Sequence, residues 1–182
     1  MSTETRNIIL EAALKIFAEE GYVGAKTRVI AEESGYSEMT LFRKFKNKEN
    51  LFDTVLIEQK KRIIGAAYEL FKENQLEDPI ESLRLLIRQI YTLIEENFRC
   101  VSLYINERRR VSENVLDEVM IIVGEQIKLK FPDMKMNTKV FAFNILSFLY
   151  LLVFDKIKGY SFIDHEEALE EFTEYIIKVL NI

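Results

Sequence analysis

Apolar and small residues at Ile9, Ala12, Ala13, Ile16 and Phe17 recur at the i, i+3, i+4, i+7, i+8 spacing of one helix face. That rhythm predicts a helix over Thr3–Glu20, which Gly21 ends. A short helix over about Thr27–Ser34 turns Ile30 and Ala31 inward. Gly35-Tyr36 then makes a tight turn, because glycine takes positive φ at no steric cost. Ser37 caps a second short helix, its hydroxyl accepting from the open N–H groups of the first turn. This helix puts Leu41 and Phe45 on one face and leaves Glu38, Met39, Phe42 and Arg43 on the other. Asn47 caps a long helix running from Lys48 to about Lys72.

Asn74 to Asp78 reads as a polar connector, and Asp78-Pro79 starts the next helix, with proline where no N–H is needed. That helix runs to about Asn97 with Leu83, Leu86, Ile87, Ile90, Tyr91 and Ile94 inward. A short helix around Val101–Asn106 leads into Arg108-Arg109-Arg110. Ser112 begins a helix to about Phe131, where Pro132 stops it. Asn137 opens the most apolar helix, which ends at Gly159, and Asp164 with Glu167 forms a capping box for the last. The chain is therefore all-α, with about nine helices and no internal repeat. Six Gly and two Pro in 182 residues are too few turn signals for a β-sandwich or barrel.

Charge is unevenly distributed. The chain carries a net −5, yet Lys26, Arg28, Arg43, Lys44, Lys46 and Lys48 outnumber Glu32, Glu33 and Glu38 between Lys26 and Lys48. A basic window in an acidic chain argues for one anion-facing region rather than a general polyanion binder. One Cys (Cys100) and one His (His165) exclude an intrachain disulfide framework, a zinc-finger ligand set and a paired Glu-x-x-His di-iron site. No nucleophile with an acid–base partner is visible, so neither an enzyme, a metal nor a cofactor is expected. Cys100 reads as a small buried hydrophobe; a redox sensor needs a thiolate near cations, and only Arg99 adjoins it. The N-terminus does not read as a signal peptide. The apolar segment Val140–Phe154 is shorter than the roughly 20 residues of a membrane span. A soluble, cytoplasmic protein is the expectation.

Thr27–Phe45 reads as helix, glycine turn, helix, the arrangement in which a second helix enters the major groove of DNA. Ala31 is small enough to admit the second helix, and Lys44, Lys46 and Lys48 follow where cations neutralise phosphates. The run Ile-Ala-Glu-Glu-Ser-Gly-Tyr-Ser-Glu-Met-Thr-Leu-Phe-Arg-Lys-Phe-Lys-Asn-Lys-Glu-Asn-Leu (Ile30–Leu51) resembles the DNA-binding signature of TetR-family transcriptional regulators. Ile9-Leu10-Glu11-Ala12-Ala13, Phe17 and Gly21-Tyr22 are similar to that family's first helix. The resemblance covers about the first fifty residues. It implies a three-helix DNA-binding head (1–47) on a helical ligand-binding and dimerisation body (48–182). By position it places Thr40, Phe42 and Lys44 along the groove edge and Lys48 on a phosphate. Glu38, Met39 and Arg43 come nearest the base edges, where Arg reads guanine and Glu accepts from cytosine N4. Thr27 takes a capping role, and Arg28 is either a phosphate contact or a solvated charge. The sequence departs from the family at Met39, where a small residue is usual, at Phe42, where Tyr is usual, and at Lys44, where His or Tyr is usual. A stacking or thymine-methyl contact would stand in for the missing phenol of Phe42.

Within the body, Tyr68, Phe71, Tyr91, Phe98, Tyr104, Phe141 and Phe148 are either core or partly the lining of an apolar ligand pocket. Arg108–Arg110 is a solvated capping run, or else meets an anionic ligand group or couples to the DNA-binding head. The helix over Val140–Phe154 is apolar nearly all round and needs cover on most sides, which a second copy would supply through about residues 137–180. The expected function is a dimeric, ligand-relieved repressor binding a palindromic operator in double-stranded DNA. The alternative is a helical ligand-binding or protein-interaction module whose helix-turn-helix is only scaffold.

Overall fold

The computed structural model describes residues 3–73, 76–111, 115–160 and 162–180. Among them are nine α-helices and no strand: α1 (Thr3–Gly24), α2 (Thr27–Ser34), α3 (Glu38–Phe45), α4 (Lys48–Glu73), α5 (Pro79–Glu96), α6 (Phe98–Asn106), α7 (Val115–Lys130), α8 (Thr138–Lys158) and α9 (His165–Leu180). The caps read from the sequence begin most of them. Ser37 Oγ accepts from the Thr40 N–H at 3.2 Å, Asn47 Oδ1 from Asn50 at 2.7 Å, and Asp78 Oδ1 from Ile80 at 2.8 Å. Asn137 Oδ1 accepts from Lys139 at 2.9 Å and Asp164 Oδ1 from Glu167 at 2.9 Å. Each satisfies N–H groups that the first turn leaves open.

Packing divides the chain into two units, Met1–Ile63 with Arg99–Asn114, and Ile64–Phe98 with Val115–Ile182. This boundary differs from the division into 1–47 and 48–182 expected from sequence. The reason is apolar burial. Leu51, Phe52, Val55 and Leu56 of α4 are buried, as are Cys100, Leu103 and Tyr104 of α6. The Tyr104 hydroxyl donates to the Leu56 carbonyl at 2.7 Å. Ile9, Ala13, Phe17, Ile30, Ala31, Leu41 and Phe45 complete this first core. Phe52 meets Phe17 edge-on, with ring centroids 5.0 Å apart.

The second unit packs α5, α7, α8 and α9 around Leu83, Leu86, Ile87, Ile90, Tyr91, Ile94, Ile127, Phe141, Leu149 and Leu169. The inward face predicted for α5 is thus the buried one. Phe148 of α8 stacks on Phe172 of α9 at 3.9 Å. Helices α7 and α8 meet at Gly124, where a β-carbon would lie 3.2 Å from the Thr138 carbonyl oxygen.

Several boundaries differ from expectation. Gly21, at φ 67° and ψ 171°, breaks α1 where predicted, but the chain makes one more turn to Gly24. Helix α6 starts at Phe98, because the chain resumes helix directly after Asn97 caps α5. The apolar helix, by contrast, runs 21 residues between Asn137 and Gly159 as expected, and by length and composition alone would reach across a membrane. Only one side of it is buried, through Phe141, Ala142, Ile145, Leu149, Leu152 and Val153. The expected helix start at Ser112, the connector at Asn74 and the Phe71 side chain lie outside the described residues.

Two expected outcomes follow from this packing. Gly35, at φ 73° with open space around it, tolerates no β-carbon without backbone strain, so Gly35→Ala lowers unfolding free energy by about 1–2 kcal/mol in urea denaturation. Burial, the largest effect on Cys100, pushes its thiol up to about 12. At pH 8 the folded protein therefore holds roughly one thiolate in ten thousand. Iodoacetamide should label Cys100 in urea and leave the native protein unlabelled; rapid native labelling at pH 8 contradicts the buried placement.

Candidate nucleic-acid interface

Helices α2 and α3 are eight residues each, too short to persist alone, so their geometry depends on caps and burial. Gly35 closes α2 in the left-handed conformation. Its N–H donates to the Glu32 carbonyl and that of Tyr36 to the Ala31 carbonyl, each at 3.1 Å. This double bond pattern is the Schellman ending that glycine favours. Two residues on, Ser37 caps α3, and its Oγ lies 3.0 Å from Thr40 Oγ1. Leu41 and Phe45 bury the inner face of α3.

The outer face carries Met39, 77% exposed, Phe42, 38% exposed, and the exposed Arg43. Glu38 is half-buried and accepts a hydrogen bond from Thr27 Oγ1. Thr27 therefore ties α2 to α3 and does not cap α2, whose capping residue is Lys26 without a side-chain bond. The capping role expected of Thr27 fails because its hydroxyl already lies one residue inside the helix. Arg28 is exposed and donates to Glu32 at 2.9 Å, a hydrogen bond that raises its pKa.

Lys44 is half-buried on α3 and Lys48 opens α4. Between them Lys46 adopts φ 64° and ψ −52°, with the Asn47 N–H donating to the Phe45 carbonyl at 2.7 Å. This is a γ-turn of the strained hand, rare outside glycine. It redirects the chain so that Asn47 caps α4 at once. Burial lowers the Lys48 pKa, and the nearby Arg110 charge lowers it further against the opposing effect of Glu107.

The candidate pocket residues are dispersed. Tyr91 and Phe141 are buried in the second unit, and Phe98 and Phe148 pack partly buried against the same cluster. Tyr68 is 51% exposed. Tyr104 is wholly buried in the first unit with its hydroxyl on Leu56, which makes it a core residue there. Sequence reading assigned no role to Tyr22 and passed over Glu107. The structure joins them through a backbone-to-carboxylate hydrogen bond spanning 85 residues of sequence. No local spacing announces such a contact.

Comparison with known proteins agrees with this arrangement. The model of bacterial regulatory proteins, tetR family, matches residues 9–55. The HTH-type transcriptional regulator YhgD of Bacillus subtilis (strain 168) is 26% identical over 193 residues, covering 100% of this chain and 99% of that protein. The HTH-type transcriptional repressor AcnR of Corynebacterium glutamicum is 40% identical over 74 residues, 41% of this chain and 37% of that one. The structure of the regulator FadR of Bacillus subtilis, in complex with stearoyl-CoA, superposes with a TM-score of 0.70 at 18% identity, covering 95% of this chain and 98% of that one. The matched residues coincide with the helix-turn-helix and its supporting helices, and the likeness of fold extends over nearly the whole chain. Residues 9–55 thus match the DNA-binding region of the tetR family of bacterial regulatory proteins, and the whole chain is similar to an HTH-type transcriptional regulator.

Proposed function

We propose that the protein is a homodimeric repressor that binds a palindromic operator and releases it when a small, largely apolar ligand enters the second unit. The observation that carries this reading is the outer face of α3. Met39, Phe42 and Arg43 stand out from a helix anchored by Leu41 and Phe45, with the half-buried Lys44 near its end and Lys48 opening α4. Phosphate contacts fix the register and base-edge contacts supply the sequence preference. Arg43 is the guanine reader of the face. Exposed Met39 and Phe42 suit thymine methyl groups, which apolar side chains recognise. Glu38, engaged by Thr27, is less free for cytosine N4 than its position implies. Thr40 and Ser37 lie at the N-terminal end of α3, where a phosphate oxygen meets open N–H groups.

A second copy accounts for the open side of α8. Val140, Phe143 and Leu151 of α8 and Tyr175 of α9 are all more than half exposed. Covering such a stripe by an isologous contact gives a two-fold dimer, and a two-fold dimer reads a palindrome. Ligand binding has two supports. The Gln89 side-chain carbonyl oxygen is buried with no hydrogen-bond partner among the described residues. Buried polar atoms without partners are costly, and a ligand can satisfy them. FadR, similar in fold, holds stearoyl-CoA. In this reading the protein acts by binding DNA and ligand rather than by turnover, in keeping with its similarity to transcriptional regulators. Its place of work, like that of the DNA it binds, is the cytoplasm.

Selection of genomic fragments by the purified protein, alongside Thr40→Ala/Lys48→Ala, tests the reading. Enrichment of one palindromic site, lost in the double variant, is the expected result. No enrichment at low salt by a folded dimer would leave the helix-turn-helix as scaffold. On the selected site, Lys48→Ala should weaken all sequences alike and reduce the slope of log affinity against log salt by about 1. Arg43→Ala should relax preference at one base pair and cost about 1–3 kcal/mol there. For the dimer, Leu151→Glu buries a charge in the proposed interface. It should weaken self-association roughly 100-fold in sedimentation equilibrium; unchanged association would move the interface elsewhere.

A further inference from the structure

Tyr22 stands where three parts of the first unit meet. Its N–H donates to Glu107 Oε1 at 2.7 Å, and the Glu107 side chain is only 17% exposed. A β-carbon on Gly21 would lie 3.0 Å from that same oxygen. Glycine there leaves the carboxylate its place as well as supplying the positive φ. The Tyr22 ring rests edge-on against Phe52 at 4.9 Å. Two cations approach the ring: the Arg110 guanidinium at 3.9 Å from its centroid and the Lys48 ammonium at 4.7 Å. Arg110 is also 3.8 Å from Glu107 Oε2. Lys48 Nζ donates to the carbonyl of Val23, the residue after Tyr22, at 3.4 Å.

A free lysine samples many rotamers, and fixing its ammonium on a phosphate costs that freedom. Contacts already made in the unbound protein remove part of the cost from the binding step. Neither the long bond to Val23 nor the ring contact is strong alone, and both depend on where Tyr22 stands. Glu107 fixes the Tyr22 backbone and Arg110 covers its ring. Both come from the segment after α6, more than fifty residues beyond the helix-turn-helix.

We propose that Tyr22, held by Glu107 and Arg110, is a positioning residue that presets Lys48 for the DNA backbone. The inference rests on the reading of Lys48 as a phosphate contact. DNA affinity then depends on residues outside the helix-turn-helix that touch no DNA themselves.

The test is a set of double-mutant cycles, with affinity for the selected site measured by fluorescence anisotropy. Tyr22→Leu, Arg110→Gln and Glu107→Ala should each weaken binding about two- to fivefold when Lys48 is present. In a Lys48→Ala background the same changes should have no measurable effect. Glu107→Gln keeps an acceptor for the Tyr22 N–H and should retain most of the affinity. Equal losses in both backgrounds would reflect general damage to the unit and overturn the proposal. If Tyr22→Leu folds poorly, Arg110→Gln, a change at a half-exposed side chain, carries the same comparison. A Lys48→Ala protein that binds as tightly as the wild type would remove the reading of Lys48 and this inference with it. A wild-type protein that selects no DNA would remove the functional reading first.

Discussion

The left-handed backbone at Gly35 governs what α3 can present. Two hydrogen bonds to the Ala31 and Glu32 carbonyls fix the exit from α2, and only two residues remain before α3 begins. From there Leu41 and Phe45 admit one rotation about the helix axis, since any other would expose them. The outward stance of Met39, Phe42 and Arg43 is a consequence of these two restrictions taken together. The Thr27 to Glu38 bond ties the pair at its open end. A helix of two turns has little stability of its own, so these tertiary ties, rather than helix propensity, set the interface.

The two units are held together differently. In the first, polar groups carry long-range connections: Tyr104 to the Leu56 backbone, Tyr22 to Glu107, and Arg6 to Glu58 at 3.1 Å. In the second, a continuous apolar cluster does most of the work, and the cross-helix ion pairs of Arg84 with Glu174 and Arg88 with Glu166 lie near the surface. Such solvent-exposed pairs contribute little to stability.

Much of the fold was legible because its signals are local. Ser37, Asp78, Asn137 and Asp164 start helices through their own side chains, and Gly35 and Gly159 end them through their own φ. The inward face of α5 follows from spacing along eighteen residues. The outer face of α3 was legible for the same reason. Less visible was anything that depends on which distant segment arrives. Thr27 looked like a cap because its partner, Glu38, lies eleven residues on. Tyr104 and Tyr91 look alike in sequence, yet one donates to a backbone carbonyl in the first core and the other lies buried in the second. The boundary at residue 47 marked the end of a motif, whereas packing follows the apolar residues of α4 and α6.

The first unit is discontinuous in sequence, which bears on how the protein is made. Residues 1–63 leave the ribosome well before residues 99–114, and until then the pocket filled by Cys100, Leu103 and Tyr104 is open. Residues 64–98 must be synthesised first, so closing the core means closing a long loop, an entropic cost that grows only slowly with its length. The N-terminal segment taken alone therefore lacks part of the core it is packed with in the whole chain. A fusion ending at residue 63 would carry the helix-turn-helix without the tyrosine and carboxylate that complete its far side. A transplant that respects the chain's own packing must bring α6 along.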